Sequence, residues 1–352
     1  MAYYVDKHIK NTQRVFPEQG RYDFLRYDMN ENPEGLPAWF VEEVKKSITP
    51  EYLAIYPEPD RFLTKYADYV GVPRDCVTCT NGTDQAIRYL LQTFCAQGHD
   101  VVTVTPSFEM YWVNCNILGL NHVPVAYNDD LSFNMQNLID AITPNTDVVV
   151  LLNPNNPVGD AFSREDVVAA VEAARANDAV VIIDEAYHYF CPSTFIDLTQ
   201  TYDNVIVMRT FSKLFSLAAC RLGVIVSNPQ IIHYVNNTRL TFDVNALALL
   251  FGEKILDHPE LIDDLVAAER EGRFWTIETL QKRGWEARPS EGNFIFVRTH
   301  RPASEVAADL EARGILVKSW GSGMLKDYLR VSTGSKAAME KLVDALGAVD
   351  AA

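Results

Sequence analysis

The stretch "DVVVLLNPNNPVGDAFSREDVVAAVEAARANDAVVIID", Asp147 to Asp184, decides the fold. Val148 to Leu152 are apolar at every position rather than at alternate ones, and Pro154 bounds the run. A strand buried on both faces reads this way. The middle of the stretch has helical periodicity, with Ser163 as a natural N-cap and Asp166 three residues on. Ala179 to Ile183 form a second continuous apolar run. Strand, helix and buried strand in succession predict a crossover unit of a parallel sheet.

The same alternation extends outward. "VTCT" (77–80) leads into the turn "NGT" and the helical "DQAIRYLLQTFCAQG"; "DVVTVTP" (100–106) and "NVIVMRTF" (204–211) are further strands. "LGVIVS" (222–227) follows Phe211 after only about ten residues, fewer than a parallel crossover usually needs, so it is predicted antiparallel to its neighbours. After residue 228 the texture changes. Helices are predicted over "PQIIHYVNNTRL" and over 243–283, interrupted near Pro259. "GNFIFVRT", "ASEVAADLEARG", "ILVKSW", "YLRVSTG" and "AAMEKLVDALG" then give a compact α+β set. The expected organisation is an arm plus part of a small domain in 1–45, its helix associated with the small unit. A large α/β domain in 46–245 and the small domain in 246–352 follow, bridged by the 243–283 helix.

Composition limits the partners. The 352 residues are 48% hydrophobic and 22% charged, with a formal net charge of -16. Nucleic acid and anionic membrane surfaces are unsuitable partners for such a chain. An anionic ligand needs a local group of cations. No apolar run is long enough to span a bilayer, and "MAYYVDKHIKNTQRVF" lacks the apolar core of a signal peptide, so a cytoplasmic location is expected. Of six cysteines only Cys76 and Cys79 form a C-x-x-C pair, without the second pair of a zinc site; they read as reduced core thiols. The seven histidines show no metal-ligand spacing, and no metal is expected.

In open parallel sheets ligands bind beyond the carboxyl ends of the strands. Gly82-Thr83-Asp84, Tyr111, Asn156, Asp184 with Tyr187, and "TFSKLFSLAACRLG" (210–223) all follow predicted strands. Gly82 to Asp84 open a helix, whose free N–H groups attract an anion; Ser212 and Arg221 can serve the same anion. Asp184 ends a buried strand, where an unpaired carboxylate is costly. Lys213 lies among apolar and small residues, where desolvation frees its amine as a nucleophile. A phosphorylated heteroaromatic aldehyde with a protonatable nitrogen satisfies all of these groups: pyridoxal 5′-phosphate.

The ordered run "NENP…YPEPD…NGTDQAI…PSFEMY…NPNNPVG…IIDEAYHYF…TFSKLFSLAACRLG…YLRVSTG" resembles the fold-type I pyridoxal-phosphate aminotransferases, closest to the histidinol-phosphate aminotransferase group. The resemblance implies a seven-stranded, mostly parallel sheet with one antiparallel strand, flanked by helices, and a smaller α+β domain. It implies that Lys213 links covalently to the cofactor and then moves a proton, and that Asp184 holds the ring nitrogen protonated. Asn156 and Tyr187 would bond the ring oxygen and Tyr111 would stack on the ring. Gly82, Thr83, Asp84, Thr210, Ser212 and Arg221 would surround the phosphate, joined by Tyr56 from a partner subunit, which implies a homodimer with shared sites. Arg330 would bind the substrate carboxylate, with Asn32, Tyr22 and Lys318 near the substrate. The implied reaction moves an amino group from an amino acid, glutamate foremost, to a keto or aldehyde acceptor that can carry a phosphate. The alternative on the same scaffold is decarboxylation of a phosphorylated amino acid. Three positions depart from the group's common pattern: Lys318 for an arginine, "TFDVN" (241–245) for "PYNVN", and Gly292 for an alanine.

Overall fold

The structure is a computed structural model that describes residues 3–12 and 20–351. Twelve strands are named in chain order: β1 Leu25–Tyr27, β2 Val77–Thr80, β3 Asp100–Thr105, β4 Asn121–Ala126, β5 Thr146–Leu152, β6 Val180–Asp184, β7 Val205–Thr210, β8 Gly223–Val226, β9 Glu286–Arg288, β10 Phe294–Arg298, β11 Ile315–Val317 and β12 Tyr328–Ser332. The large sheet has seven strands in the order β2-β8-β7-β6-β5-β3-β4. β3 to β7 pair in parallel, and β8 runs antiparallel to both β2 and β7. The short link between β7 and β8 thus gives the orientation expected from its length. Every residue of β7 and β8 is buried: the apolar runs 205–208 and Gly223–Val226, and also Arg209 and Thr210 at the end of β7. Between β5 and β6, helix Arg164–Arg175 starts at Ser163, whose hydroxyl oxygen accepts the Asp166 N–H at 3.1 Å.

Two apolar clusters cover the faces of this sheet, and a third lies apart. The third joins Tyr27 to Leu280, Ile295, Leu329 and Leu342, around the three-stranded β12-β10-β9 sheet and the parallel β1–β11 pair. The N-terminal segment therefore contributes a strand to the smaller unit. Helix Ala38–Lys45, expected with that unit, instead places Phe40 and Val44 in the first cluster of the large sheet. Its apolar stripe meets helix Ala246–Leu256, whose buried residues lie in the same cluster. The expected 243–283 helix is two helices, Ala246–Leu256 and Pro259–Lys282, broken where Pro259 stands. The second has Leu261 and Ile262 in the large-sheet cluster and Leu280 in the third. Cys76 and Cys79 are free and buried, and burial raises both thiol pKa values. No helix among the described residues is long and apolar enough to cross a membrane.

Candidate active site

The site forms where β5, β6 and β7 end and the smaller unit closes over them. Asp184 is the last residue of β6 and 2% exposed. Its Oδ1 accepts the Ala186 N–H at 3.1 Å and its Oδ2 accepts the Tyr111 hydroxyl at 2.8 Å. Burial raises its pKa to about 6, against the pull of those two donors. Its neighbour Glu185 faces the opposite side and is locked by Arg209, the Thr194 hydroxyl and the Phe195 N–H. That pair pins the strand end from behind.

Lys213 follows β7. Its amine donates to the Met29 carbonyl at 2.8 Å and lies 5.9 Å from the centre of the Tyr187 ring. Desolvation, then the nearby Arg330 charge, lower its pKa to about 8. Tyr187 accepts a hydrogen bond from Asn30 Nδ2 at 2.9 Å. Arg330, on β12, donates to Asn156 Oδ1 at 2.5 Å and to the Asp28 carbonyl. Phe294 and Trp320 flank its guanidinium at 5.6 and 6.0 Å. Both acceptors are neutral, and its Nε is buried without a partner.

Gly82, with φ of +76°, caps helix Thr83–Phe94. A Cβ there would come within 2.5 Å of Arg221 Nη2, and a Cβ at Gly223 within 2.8 Å of Gly82 C and Thr83 N. The two glycines let the guanidinium and the start of β8 pack directly against the N-terminus of that helix. Arg221 itself is left-handed, φ +57°, and pairs with Asp84 at 3.3 Å, both side chains part-exposed. Such an exposed pair is weak and exchanges readily for a better anion. Thr210, the last residue of β7, pairs with Gly223 of β8, and it and Ser212 are buried, with Thr210 Oγ1 accepting the Ser212 N–H at 3.1 Å.

The other expected residues divide. Asn32 donates to Ser216 Oγ at 2.8 Å and lines a cavity of about 70 Å³ with Lys213. Lys318 exchanges backbone hydrogen bonds with Arg330, so its place is fixed one strand over, with its side chain exposed. Tyr56 is 73% exposed and stacks on Phe242 with centroids 4.4 Å apart. Tyr22 is 93% exposed; its neighbour Arg21 instead turns inward to Asp28 and Glu31. A larger cleft, about 650 Å³ between Gly159–Ala161 and Arg288–Glu291, is lined by none of Lys213, Asp184, Arg221 or Arg330.

The profile of the aminotransferase class I and II family matches residues 23–346. The chain belongs to the class I and II aminotransferases. It is 32% identical to a histidinol-phosphate aminotransferase of Symbiobacterium thermophilum, across 98% of this chain and 95% of that one. It is 31% identical to one of Chlorobaculum tepidum, across 94% and 95%. The histidinol-phosphate aminotransferase of Sinorhizobium meliloti, solved in complex with pyridoxal 5′-phosphate, superposes with a TM-score of 0.89 at 23% identity, across 99% and 98%.

The cofactor of this aminotransferase is pyridoxal 5′-phosphate, and the residues present fit it. The helix N-terminus at Gly82 and Thr83, with Arg221 packed beside it, suits a phosphate, the Lys213 amine suits an aldehyde, and the buried Asp184 carboxylate suits a protonated ring nitrogen. One useful residue escaped the sequence reading. Asn30, 1% exposed with φ +56°, ties Tyr187 to Ser332 and Asn293. A non-glycine residue held there is costly and clusters at functional sites; asparagine's tolerance of that conformation, inside "NENP", was the available signal. Gly292, where the group commonly has alanine, is explained by contact: a Cβ would lie 2.5 Å from the Phe294 ring that underlies Arg330.

A pH dependence follows from Lys213. Below about pH 8 the cofactor-free amine is mostly an ammonium and cannot attack an aldehyde. The rate of cofactor capture should rise about tenfold per pH unit up to that point and level off above it. Reconstitution kinetics followed by absorbance would test this; a rate independent of pH between 6 and 8 would contradict it.

Proposed function

We propose that this aminotransferase moves the amino group of glutamate to a phosphorylated keto acceptor of the imidazole-acetol phosphate type. The observation that carries the reading is Arg330: a buried guanidinium that, among the described residues, bonds only to neutral oxygens and leaves its Nε without a partner, near the Lys213 amine. A buried cation without an anionic partner is poised for a substrate carboxylate. The identity to histidinol-phosphate aminotransferases supports the phosphorylated acceptor.

When bound, pyridoxal phosphate supplies an aldehyde that takes up the amino group and a ring that accepts electrons from the bond broken at the substrate's Cα. The protein supplies the rest. Gly82, Thr83, Asp84, Thr210, Ser212 and Arg221 hold the phosphate. Asp184 keeps the ring nitrogen protonated, and Asn156 and Tyr187 hold the ring oxygen. Tyr111 walls the ring. Lys213 carries the proton from and to the substrate's Cα. Arg330 orients the carboxylate so that the Cα–H bond, rather than the carboxylate bond, is the one broken. Asn32 and Lys318 border the substrate. The fold is shared with the L-threonine-O-3-phosphate decarboxylase of Porphyromonas gingivalis, TM-score 0.77 at 22% identity, and that likeness bears on fold alone.

Arg330→Gln should lower kcat/KM for glutamate roughly 10²-fold, mostly through KM. The cofactor's absorbance should be unchanged; an unaltered KM would remove Arg330 from the substrate site.

The sites are shared in a homodimer on this reading. Tyr56 and Phe242 are exposed aromatic rings stacked on one another, and exposed apolar side chains in contact mark an interface. Tyr56 of the partner subunit would then reach the phosphate. Light scattering should give twice the chain mass of 39.6 kDa; a fully active monomer would contradict the shared site.

A further inference from the structure

Tyr111 occupies the second position of helix Met110–Leu118, after β3, and Asp184 ends β6. Both are buried, and the 2.8 Å bond from the Tyr111 hydroxyl to Asp184 Oδ2 joins them. Packing alone would be served by phenylalanine. The hydroxyl is placed at a buried carboxylate that has, among the described residues, one other donor, the Ala186 N–H. The charges around Asp184 work against its ionisation: Asp84 and Glu185 are both acidic, and Tyr187 is a neutral phenol. A donor on the charged form favours that form, and in the pair the single proton rests on the phenol.

We propose that Tyr111 is a positioning residue that keeps the Asp184 carboxylate ionised and fixed before the cofactor arrives, so that the ring nitrogen meets a charge rather than a protonated acid. The proposal rests on the pyridoxal-phosphate reading of the site. Burial already lifts the Asp184 pKa to about 6, and burial with the Asp184 charge lifts that of Tyr111 well above its ordinary value. Removing the hydroxyl takes away one of two donors. The carboxyl pKa then climbs further, and at pH 7 a larger share of cofactor-free protein carries a proton on Asp184. That proton is released to the buffer when a protonated ring nitrogen binds.

The test uses cofactor-free protein and 4′-deoxypyridoxine 5′-phosphate. This probe has the ring nitrogen and phosphate but no aldehyde, so it forms no bond to Lys213. Calorimetry at pH 7 in two buffers of different ionisation enthalpy gives both affinity and proton count. Tyr111→Phe should bind about tenfold more weakly and release several tenths of a proton more than the wild type. The difference should shrink toward pH 5, where both proteins start protonated. Tyr111→His, which restores a ring N–H donor, should recover much of the wild-type proton count. An unchanged proton count in Tyr111→Phe, with or without weaker binding, would reduce Tyr111 to packing and overturn the proposal. Failure of the wild-type protein itself to bind the probe would overturn the cofactor reading, and the proposal with it.

Discussion

Lys213→Ala should lower transamination by at least about 10⁴-fold, the largest loss expected of any single change here. The amine is asked to do two things, and no neighbour can substitute for either. It attacks the aldehyde, for which its lowered pKa of about 8 prepares it. It then carries a proton at the substrate's Cα, which needs a base able to reach that carbon. The cations near it cannot replace it: Arg330 and Arg221 are guanidiniums that do not release protons at neutral pH. The stem of Lys213 is only half-buried and its amine makes one hydrogen bond, to the Met29 carbonyl, so its removal should leave the fold intact. Borohydride treatment followed by mass spectrometry checks the assignment. The wild type should gain the mass of the reduced cofactor on the peptide containing Lys213. A covalent adduct retained by Lys213→Ala would sink it.

Asp184→Asn should cost roughly 10³-fold in activity, the scale of losing one partner from a buried charge pair. The amide is nearly isosteric, so the Ala186 N–H keeps an acceptor, but the charge that holds a ring proton is gone. The loss should appear in kcat, with the cofactor held more weakly as well. Activity within tenfold of the wild type would mean that the ring nitrogen does not depend on this carboxylate.

Much of this was legible because buried parallel strands write themselves as continuous apolar runs and site residues collect at their ends. β5, β6 and β7 were readable for that reason, and β8 was readable as antiparallel from the shortness of its connection. β4 was not. It is an edge strand, mostly part-exposed, interrupted by Pro124 and lacking an apolar run. The β1–β11 pair was hidden because each strand has three residues and the partners are nearly the whole chain apart. Helix Ala38–Lys45 was expected with the smaller unit, yet Phe40 and Val44 pack in the large-sheet cluster; a segment without strong periodicity does not say which surface covers it.

The site divides in the same way. Lys213, Asp184, Asn156 and Arg221 announced themselves as polar groups at strand ends. Asn30 did not, because its importance lies in contacts to Tyr187, Ser332 and Asn293 that only tertiary structure creates. Tyr111 was legible as an aromatic near the ring; its hydroxyl contact with Asp184, across two elements, was not. The motif named Asn32 where Asn30, the first asparagine of "NENP", makes the contact with Tyr187. Neighbouring polar residues in a turn point in different directions, and sequence spacing alone does not choose between them.

The central claim, transamination on a pyridoxal-phosphate site, is tested most directly by a single half-reaction. The purified holoenzyme is mixed with L-glutamate and no acceptor, while absorbance and products are followed. The visible cofactor band should disappear as one equivalent of 2-oxoglutarate per site appears, and imidazole-acetol phosphate should restore the band. Carbon dioxide release from a phosphorylated amino acid, with no 2-oxoglutarate formed from glutamate, would contradict it.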